Sequence, residues 1–193
     1  LKKHGDFGLG TFNSLDGEMI MLDGVVYQLK SDGFTYVVED SVQTPFACVT
    51  FFRPYSHEVI GREMHYQDFN AFLDTLIPSR NMFYALRMEG RFRNMKVWSV
   101  RRQANYKPIL EPSEAQAAFE YEDVEGTLAG FFAPVFMKSL IMPGFHLHFV
   151  TSDRKHGGHL HECIIDRAEV GIQHMDKLKM NLPITLDYMT ADL

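Results

Sequence analysis

Two pairs of histidines have the spacing that a metal site needs. His146 and His148 alternate along one predicted strand, and His159 and His161 alternate along the next. Neighbouring side chains of a strand point to opposite faces, so the two members of each pair share a face, roughly 6.6 Å apart. If the strands pair antiparallel with His148 opposite His159, all four imidazoles face the same way. Three converging imidazoles with open positions are a ligand set of catalytic zinc.

Spacing alone leaves two points open. An isolated His-x-His pair is more often part of a face of half-exposed surface histidines, and only the second pair favours a metal. Spacing also does not choose between His159 and His161 as the third ligand. His156 is expected to be exposed in the intervening turn. Four isolated histidines are interpreted as structural: His4, His57, His65 and His174.

A β-rich chain must position these residues. Short apolar runs separated by Asp-Gly turns predict a β-meander near the N-terminus. The predicted strands are 19–22, 25–29, 34–38, 46–52, 83–88, 92–100, 119–121, 126–132, 145–151, 159–165 and 169–174. The strands 83–88 and 92–100 are predicted to form a hairpin around Glu89 and Gly90.

The sequence predicts helices in two segments only. One long helix is predicted near Tyr66 to Leu76, where apolar residues recur at helical spacing and Pro78 stops it. A short helix is predicted from Ser113 to Ala118, with Ser113 as its cap.

The pattern predicts an α+β fold, rich in β-structure, with mixed or antiparallel sheets and one main helix. We expect two closely packed subdomains that form one compact unit. Residues 1–105 would be a mixed β subdomain with the helix, and residues 106–193 an antiparallel β subdomain that carries the metal histidines. The boundary is placed in the stretch 103–112, which contains two prolines.

Composition narrows the class of protein. The formal charge of −6 argues against a binder of nucleic acid or of anionic membranes, but not against a small anionic substrate. Cys48 and Cys163 lie in apolar runs and are expected to be buried free thiols. No apolar run has the length of a membrane helix, so a cytoplasmic location is expected. The chain begins at Leu1 without Met, so a removed N-terminal segment stays open.

Charged residues offer further candidates. Glu18 follows a turn and begins an apolar strand, a position usually solvated but also suited to a metal ligand or proton carrier. A basic cluster is either a solvated sheet face or, in part, a clamp for a carboxylate. Its members are Arg87, Arg91, Arg93, Lys96, Arg101 and Arg102.

The sequence resembles the alpha-acetolactate decarboxylase family over nearly its whole length. Gly144-Phe145-His146-Leu147-His148-Phe149 followed by Gly157-Gly158-His159 is the most specific part. The other matching segments are Gly5-Asp6-Phe7-Gly8-Leu9-Gly10-Thr11-Phe12, Leu15-Asp16-Gly17-Glu18, Ser31-Asp32-Gly33, Pro78-Ser79-Arg80-Asn81 and Gly126-Thr127.

The resemblance implies a role for each matching residue. His146, His148 and His159 match the family's three zinc ligands, which leaves His161 outside the ligand set. Glu18 matches an active-site glutamate beside the metal, and Thr11 a threonine that lines the pocket.

Two departures from the family pattern concern the substrate. Trp98 stands where the family has a catalytic arginine, and Arg101 or Arg102 is the candidate to supply the missing charge. The family's second active-site glutamate comes from a C-terminal tail, and this chain ends at Leu193 before that tail.

The resemblance implies a homodimeric, zinc-dependent carboxy-lyase that converts (S)-2-acetolactate, a 2-hydroxy-3-keto acid, to acetoin, with zinc stabilising the enediolate. The main alternative, which Trp98 favours, is a divergent member that keeps the zinc but binds or acts on another hydroxy-keto acid. A cupin-like iron dioxygenase also stays open, since His-x-His suits iron. A purely structural β-module is the third alternative.

Overall fold

The structure is a computed structural model that describes residues 1–104, 116–182 and 189–190. Its first five strands are β1 (Phe7–Thr11), β2 (Glu18–Leu22), β3 (Val25–Leu29), β4 (Thr35–Val37) and β5 (Ala47–Thr50). They form one antiparallel sheet, sheet A, in the order β4-β3-β2-β1-β5. Gly17, Gly24 and Gly33 have positive φ in its turns, which glycine adopts without a Cβ penalty. The predicted meander is confirmed.

The second sheet, sheet B, contains the long strands. Its strands are β6 (Ser56–Ile60), β7 (Met64–His65), β8 (Phe83–Val100), β9 (Gln116–Ala133), β10 (Gly144–Thr151) and β11 (Gly157–Met175). The order is β10-β9-β8-β11-β6, and β11 also pairs with β7 and β10. Short 3-10 turns occupy Asn13–Leu15 and Val135–Met137. Every strand pairing among the described residues is antiparallel.

The predicted hairpin around Glu89 and Gly90 is wrong. Strand β8 runs through both residues without a turn. Gly90 is needed because β11 passes so close that a Cβ there would meet the Arg167 carbonyl oxygen and Ala168. The pairs 119–121 with 126–132 and 159–165 with 169–174 likewise merge into β9 and β11.

The predicted long helix is confirmed as α1 (Tyr66–Leu76). Phe69 and Leu73 are fully buried and belong to the core cluster that includes sheet B. The predicted short helix is wrong over Gln116 to Ala118, which begin β9. Residues 113–115 lie outside the described part.

Sheet B lies between α1 and sheet A. Strand alternation gives β8 two apolar faces, with Leu86 and Met88 in the cluster that contains the α1 residues. Ala85 of β8 joins Leu9 and Ile20 of sheet A in a second cluster. The candidate site lies between the two sheets, which both contribute residues to it.

The α+β, β-rich fold with one main helix is confirmed. Sheet B takes strands from both sides of the expected boundary at 105/106, and that division into subdomains stays a prediction. Cys48 and Cys163 are free thiols, as expected, but only Cys163 is fully buried and Cys48 is half-buried. Loss of solvation raises the pKa of Cys48 to about 11 and of Cys163 to about 12. In the described part of the chain, no helix combines the length and apolar character needed to cross a membrane.

Candidate metal centre

Strand register brings three histidines together. Strand β10 pairs with β11 so that His148 lies directly opposite His159, the register expected from the sequence. His146 lies two residues from His148 on the same strand and therefore on the same face. The ring centroids are 4.8 Å apart for His146 and His159, 5.0 Å for His146 and His148, and 5.3 Å for His148 and His159.

The ligand atoms of these three rings lie within 4.8 Å of one another. The Nε2 atoms of His146 and His148 are 3.1 Å apart, so two nitrogens face the same point. No other group of three or more His, Cys, Asp or Glu residues in the ranges 1–104, 116–182 and 189–190 has a geometry that could hold a metal ion.

His148 is held by the opposite sheet. Its ring is fully buried, and its Nδ1 donates a hydrogen bond to the Met19 carbonyl oxygen of β2 at 2.7 Å. Because that carbonyl can only accept, the hydrogen bond places the proton of neutral His148 on Nδ1. The Nε2 lone pair is then free for a ligand, an arrangement common among metal-bound histidines.

Burial keeps the three imidazoles neutral. Loss of solvation lowers the pKa of His146 to about 4 and of His159 to about 3, and it lowers that of His148 well below its ordinary value. His159 Nδ1 is also buried without a hydrogen-bond partner among the described residues. Neutral imidazoles with uncommitted nitrogens fit a divalent cation, so this donor set can hold a metal ion.

Glu18 lies next to the histidines at the start of β2. Its side chain is buried, and its Oε2 is 3.5 Å from His148 Nε2. Burial raises the pKa of Glu18 to about 8, against the opposing effect of a hydrogen bond from the Val100 backbone. Without a metal, burial therefore favours the protonated form of Glu18 at neutral pH, beside a nitrogen that carries no proton.

Thr11 supports the position of Glu18. The two residues are opposite one another in the pairing of β1 and β2. The Thr11 hydroxyl donates to the Gly17 carbonyl oxygen at 2.7 Å, which ties the turn before Glu18 to β1. The hydroxyl proton is thus committed to this turn, and the hydroxyl oxygen keeps acceptor capacity.

Trp98 forms the wall beside His159. It lies opposite His159 in the pairing of β8 with β11, and the ring centroids are 4.2 Å apart with an interplanar angle of 33°. The position at which the resemblance implied an arginine is occupied by an aromatic ring in contact with a candidate ligand.

Two expectations from histidine spacing are corrected. His161 lies where the register of β11 against β8 shifts between Leu160 and Glu162, so the regular alternation assumed for it does not hold, and it is exposed and outside the three-histidine group. His156 is half-buried rather than exposed, and its Nδ1 donates to the Gly33 carbonyl oxygen at 2.8 Å.

The arginines are not brought to the histidines. Arg101 and Arg102 follow the end of β8 and are exposed, and no contact between them and the three imidazoles is seen in the described part of the chain. Their catalytic role stays a prediction. Arg87 pairs with Asp23 and Glu89, and Arg91 and Arg93 pair with Asp123, which fits a solvated sheet face.

Two groups of the site were missed by sequence reasoning. The Met19 carbonyl orients His148, and the Val100 backbone hydrogen bonds to Glu18. Both are main-chain groups, which every residue type supplies, so no residue pattern could have indicated them.

Comparisons with known proteins agree with the geometry. The sequence model of the family described as alpha-acetolactate decarboxylase matches residues 1–193. An alpha-acetolactate decarboxylase of Bacillus licheniformis is 40% identical over 192 residues, which cover 99% of this chain and 76% of that protein. One of Methanosarcina mazei is 41% identical over 196 residues, covering 100% of this chain and 67% of that protein.

A solved structure gives the same result for the fold. The crystal structure of alpha-acetolactate decarboxylase from Bacillus subtilis strain 168 superposes with a TM-score of 0.95 at 37% identity. The match covers 98% of this chain and 82% of that chain.

Proposed function

The chain belongs to the alpha-acetolactate decarboxylase family, a family of carboxy-lyases, and we propose from this that it decarboxylates (S)-2-acetolactate to acetoin at the three-histidine centre. The proposed metal is zinc, held by His146, His148 and His159. A homodimeric state and a cytoplasmic location stay predictions of the sequence.

One observation carries the proposal. Three imidazoles and a buried glutamate converge between two sheets, in a chain 40% identical to a named decarboxylase. A structural β-module does not need uncommitted buried nitrogens, because a buried polar atom without a partner costs free energy, about 1–3 kcal/mol.

The chain's own residues would prepare the site before the substrate enters. The hydrogen bond to Met19 fixes the tautomer of His148 and turns its free nitrogen towards His146. When bound, zinc supplies Lewis acidity, which stabilises negative charge on the substrate oxygens as carbon dioxide leaves.

Glu18 is suited to handle the proton that the reaction requires. Decarboxylation breaks the bond between the carboxylate carbon and C2, and the electron pair left behind must take up one proton. Glu18 is buried with its Oε2 3.5 Å from His148 Nε2, a position from which a carboxyl group can give a proton to the substrate and regain it from water. We assign this transfer to Glu18 Oε2, which faces His148.

A second candidate function follows from Trp98. An indole cannot pair with a carboxylate by charge, and the described residues bring no arginine or lysine into contact with the three imidazoles. The same centre could therefore bind or act on a different hydroxy-keto acid.

The test is a colorimetric acetoin assay on protein freed of metal with a chelator and then supplied with zinc. We expect acetoin only after zinc is added, and strongly reduced turnover in Glu18→Gln. Zinc binding without acetoin, together with carbon dioxide release from another 2-hydroxy-3-keto acid, would favour the second candidate. Full turnover in Glu18→Gln would remove Glu18 from the mechanism.

A further inference from the structure

We propose that Trp98 is the positioning residue of His159 and sets the ring plane of this metal ligand by stacking instead of by a hydrogen bond. The inference rests on the metal centre proposed above. It assigns to this chain's indole a role towards the metal rather than towards the substrate.

The candidate ligands are oriented in different ways. His148 has a hydrogen bond from its Nδ1 to the Met19 carbonyl oxygen, which fixes both its tautomer and its ring. His159 has no comparable anchor, because its Nδ1 is buried without a hydrogen-bond partner among the described residues. Metal-bound histidines usually depend on such an anchor, so something else must restrict this ring.

Trp98 meets that requirement. The separation of 4.2 Å between its ring centroid and that of His159 is shorter than the 4.8 Å between the stacked rings of Phe7 and Phe52. An interplanar angle of 33° lays the imidazole across the indole face rather than against its edge. The contact therefore restricts rotation of the His159 ring whichever of its nitrogens faces the metal.

The backbone around Trp98 is itself fixed. The next residue, Ser99, is fully buried and donates its hydroxyl to the Leu29 carbonyl oxygen of sheet A at 2.6 Å. Val100 then hydrogen bonds to Glu18. A Cβ at Gly158 would lie 2.8 Å from the Trp98 carbonyl oxygen, so β8 and β11 are in close contact beside the ligand. The indole is thus held on a strand end that is anchored to both sheets.

The effect on metal affinity follows from the value of an aromatic contact. Replacement of Trp98 by leucine keeps apolar volume but removes the stacking face, which corresponds to a loss of about 2- to 10-fold in zinc affinity. Phenylalanine keeps a ring at the same position and should recover most of the affinity.

The first measurement uses zinc competition with a chromophoric chelator on metal-free protein. The variants are Trp98→Leu and Trp98→Phe, and the control is Tyr55→Leu, which removes a second aromatic–histidine contact, that of Tyr55 with His174. We expect weaker binding and an altered cobalt(II) absorption spectrum in Trp98→Leu only. Affinity and spectrum equal to the wild type in Trp98→Leu would overturn the proposal.

A second measurement needs no variant of Trp98. The chain contains one tryptophan, so selectively excited indole emission comes from Trp98 alone. We expect zinc to change the emission of the wild type up to one equivalent, and to leave that of His159→Ala unchanged. Bound zinc with unchanged emission in the wild type would refute the positioning role and leave the metal centre intact. Failure of the wild type to bind zinc at all would instead refute the proposed function, and this inference with it.

Discussion

Replacement of Glu18 by glutamine should remove a pH-dependent loss of stability from the metal-free protein. Burial raises the pKa of Glu18 from its ordinary 4.5 to about 8. Between these values the folded protein keeps a proton that the unfolded chain has released, so the free energy of unfolding falls as pH rises. The contribution of Glu18 is fully present below 4.5 and is lost as pH rises through about 8.

The contribution of Glu18 to the free energy of unfolding is separate from that of the histidines in one pH range. Burial lowers the pKa values of the three site histidines, so their contribution to stability changes only below the ordinary value of 6.5. From that pH to about 8, Glu18 loses roughly 1.4 kcal/mol per pH unit, or about 2 kcal/mol in all. In a chain of 193 residues this corresponds to a fall of about 4–8 °C in Tm.

The assay is thermal unfolding in chelator at pH 6.5 and about pH 9, for the wild type, Glu18→Gln and the control Glu58→Gln. Glutamine is neutral at both pH values, so the part of the fall due to Glu18 should be absent in Glu18→Gln and present in Glu58→Gln, whose glutamate is exposed. Cys48 and Cys163 begin to contribute near the upper pH, equally in all three proteins. An equal fall in the wild type and Glu18→Gln would show that Glu18 is not the buried acid.

Three further predictions follow from the same geometry. The double variant His146→Ala/His148→Ala should contain no zinc by elemental analysis, and full occupancy would overturn the ligand assignment. Phe149→Ala removes a fully buried ring packed edge-on against Phe92 at 5.3 Å, and denaturant titration should show a loss of about 3–5 kcal/mol. Gly130→Ala places a Cβ against the carbonyl oxygen of His146, so both stability and zinc affinity should fall, and unchanged affinity would show that β9 does not set the ligand position.

The sequence by itself determined the features that depend on local periodicity. Alternation of His146 and His148 fixes their common face in any strand, and the apolar spacing from Tyr66 to Leu76 suffices for the helix. The Asp-Gly turns gave the meander of sheet A because glycine is the residue that tolerates positive φ. The family's motifs then selected His159 and Glu18 from among similar residues.

Local patterns failed where a distant segment decided the outcome. Gly90 has the sequence signature of a turn, but the close approach of Arg167 and Ala168 makes it part of one continuous strand. His161 has the alternation of a ligand, but it is exposed and lies where the register of β11 against β8 shifts. In both cases the pairing of β8 with β11 decides the local conformation.

Only the tertiary structure decided the chemistry of the site. Glu18 has a raised pKa because sheet packing removes it from water, and a carboxylate at the start of a strand does not indicate this in sequence. The carbonyl of Met19, 129 residues before His148, fixes the tautomer of that ring. Trp98 contacts His159 because β8 lies beside β11. Side-chain type and spacing can nominate metal ligands, but their protonation and orientation depend on solvent exclusion and partners that folding alone brings together.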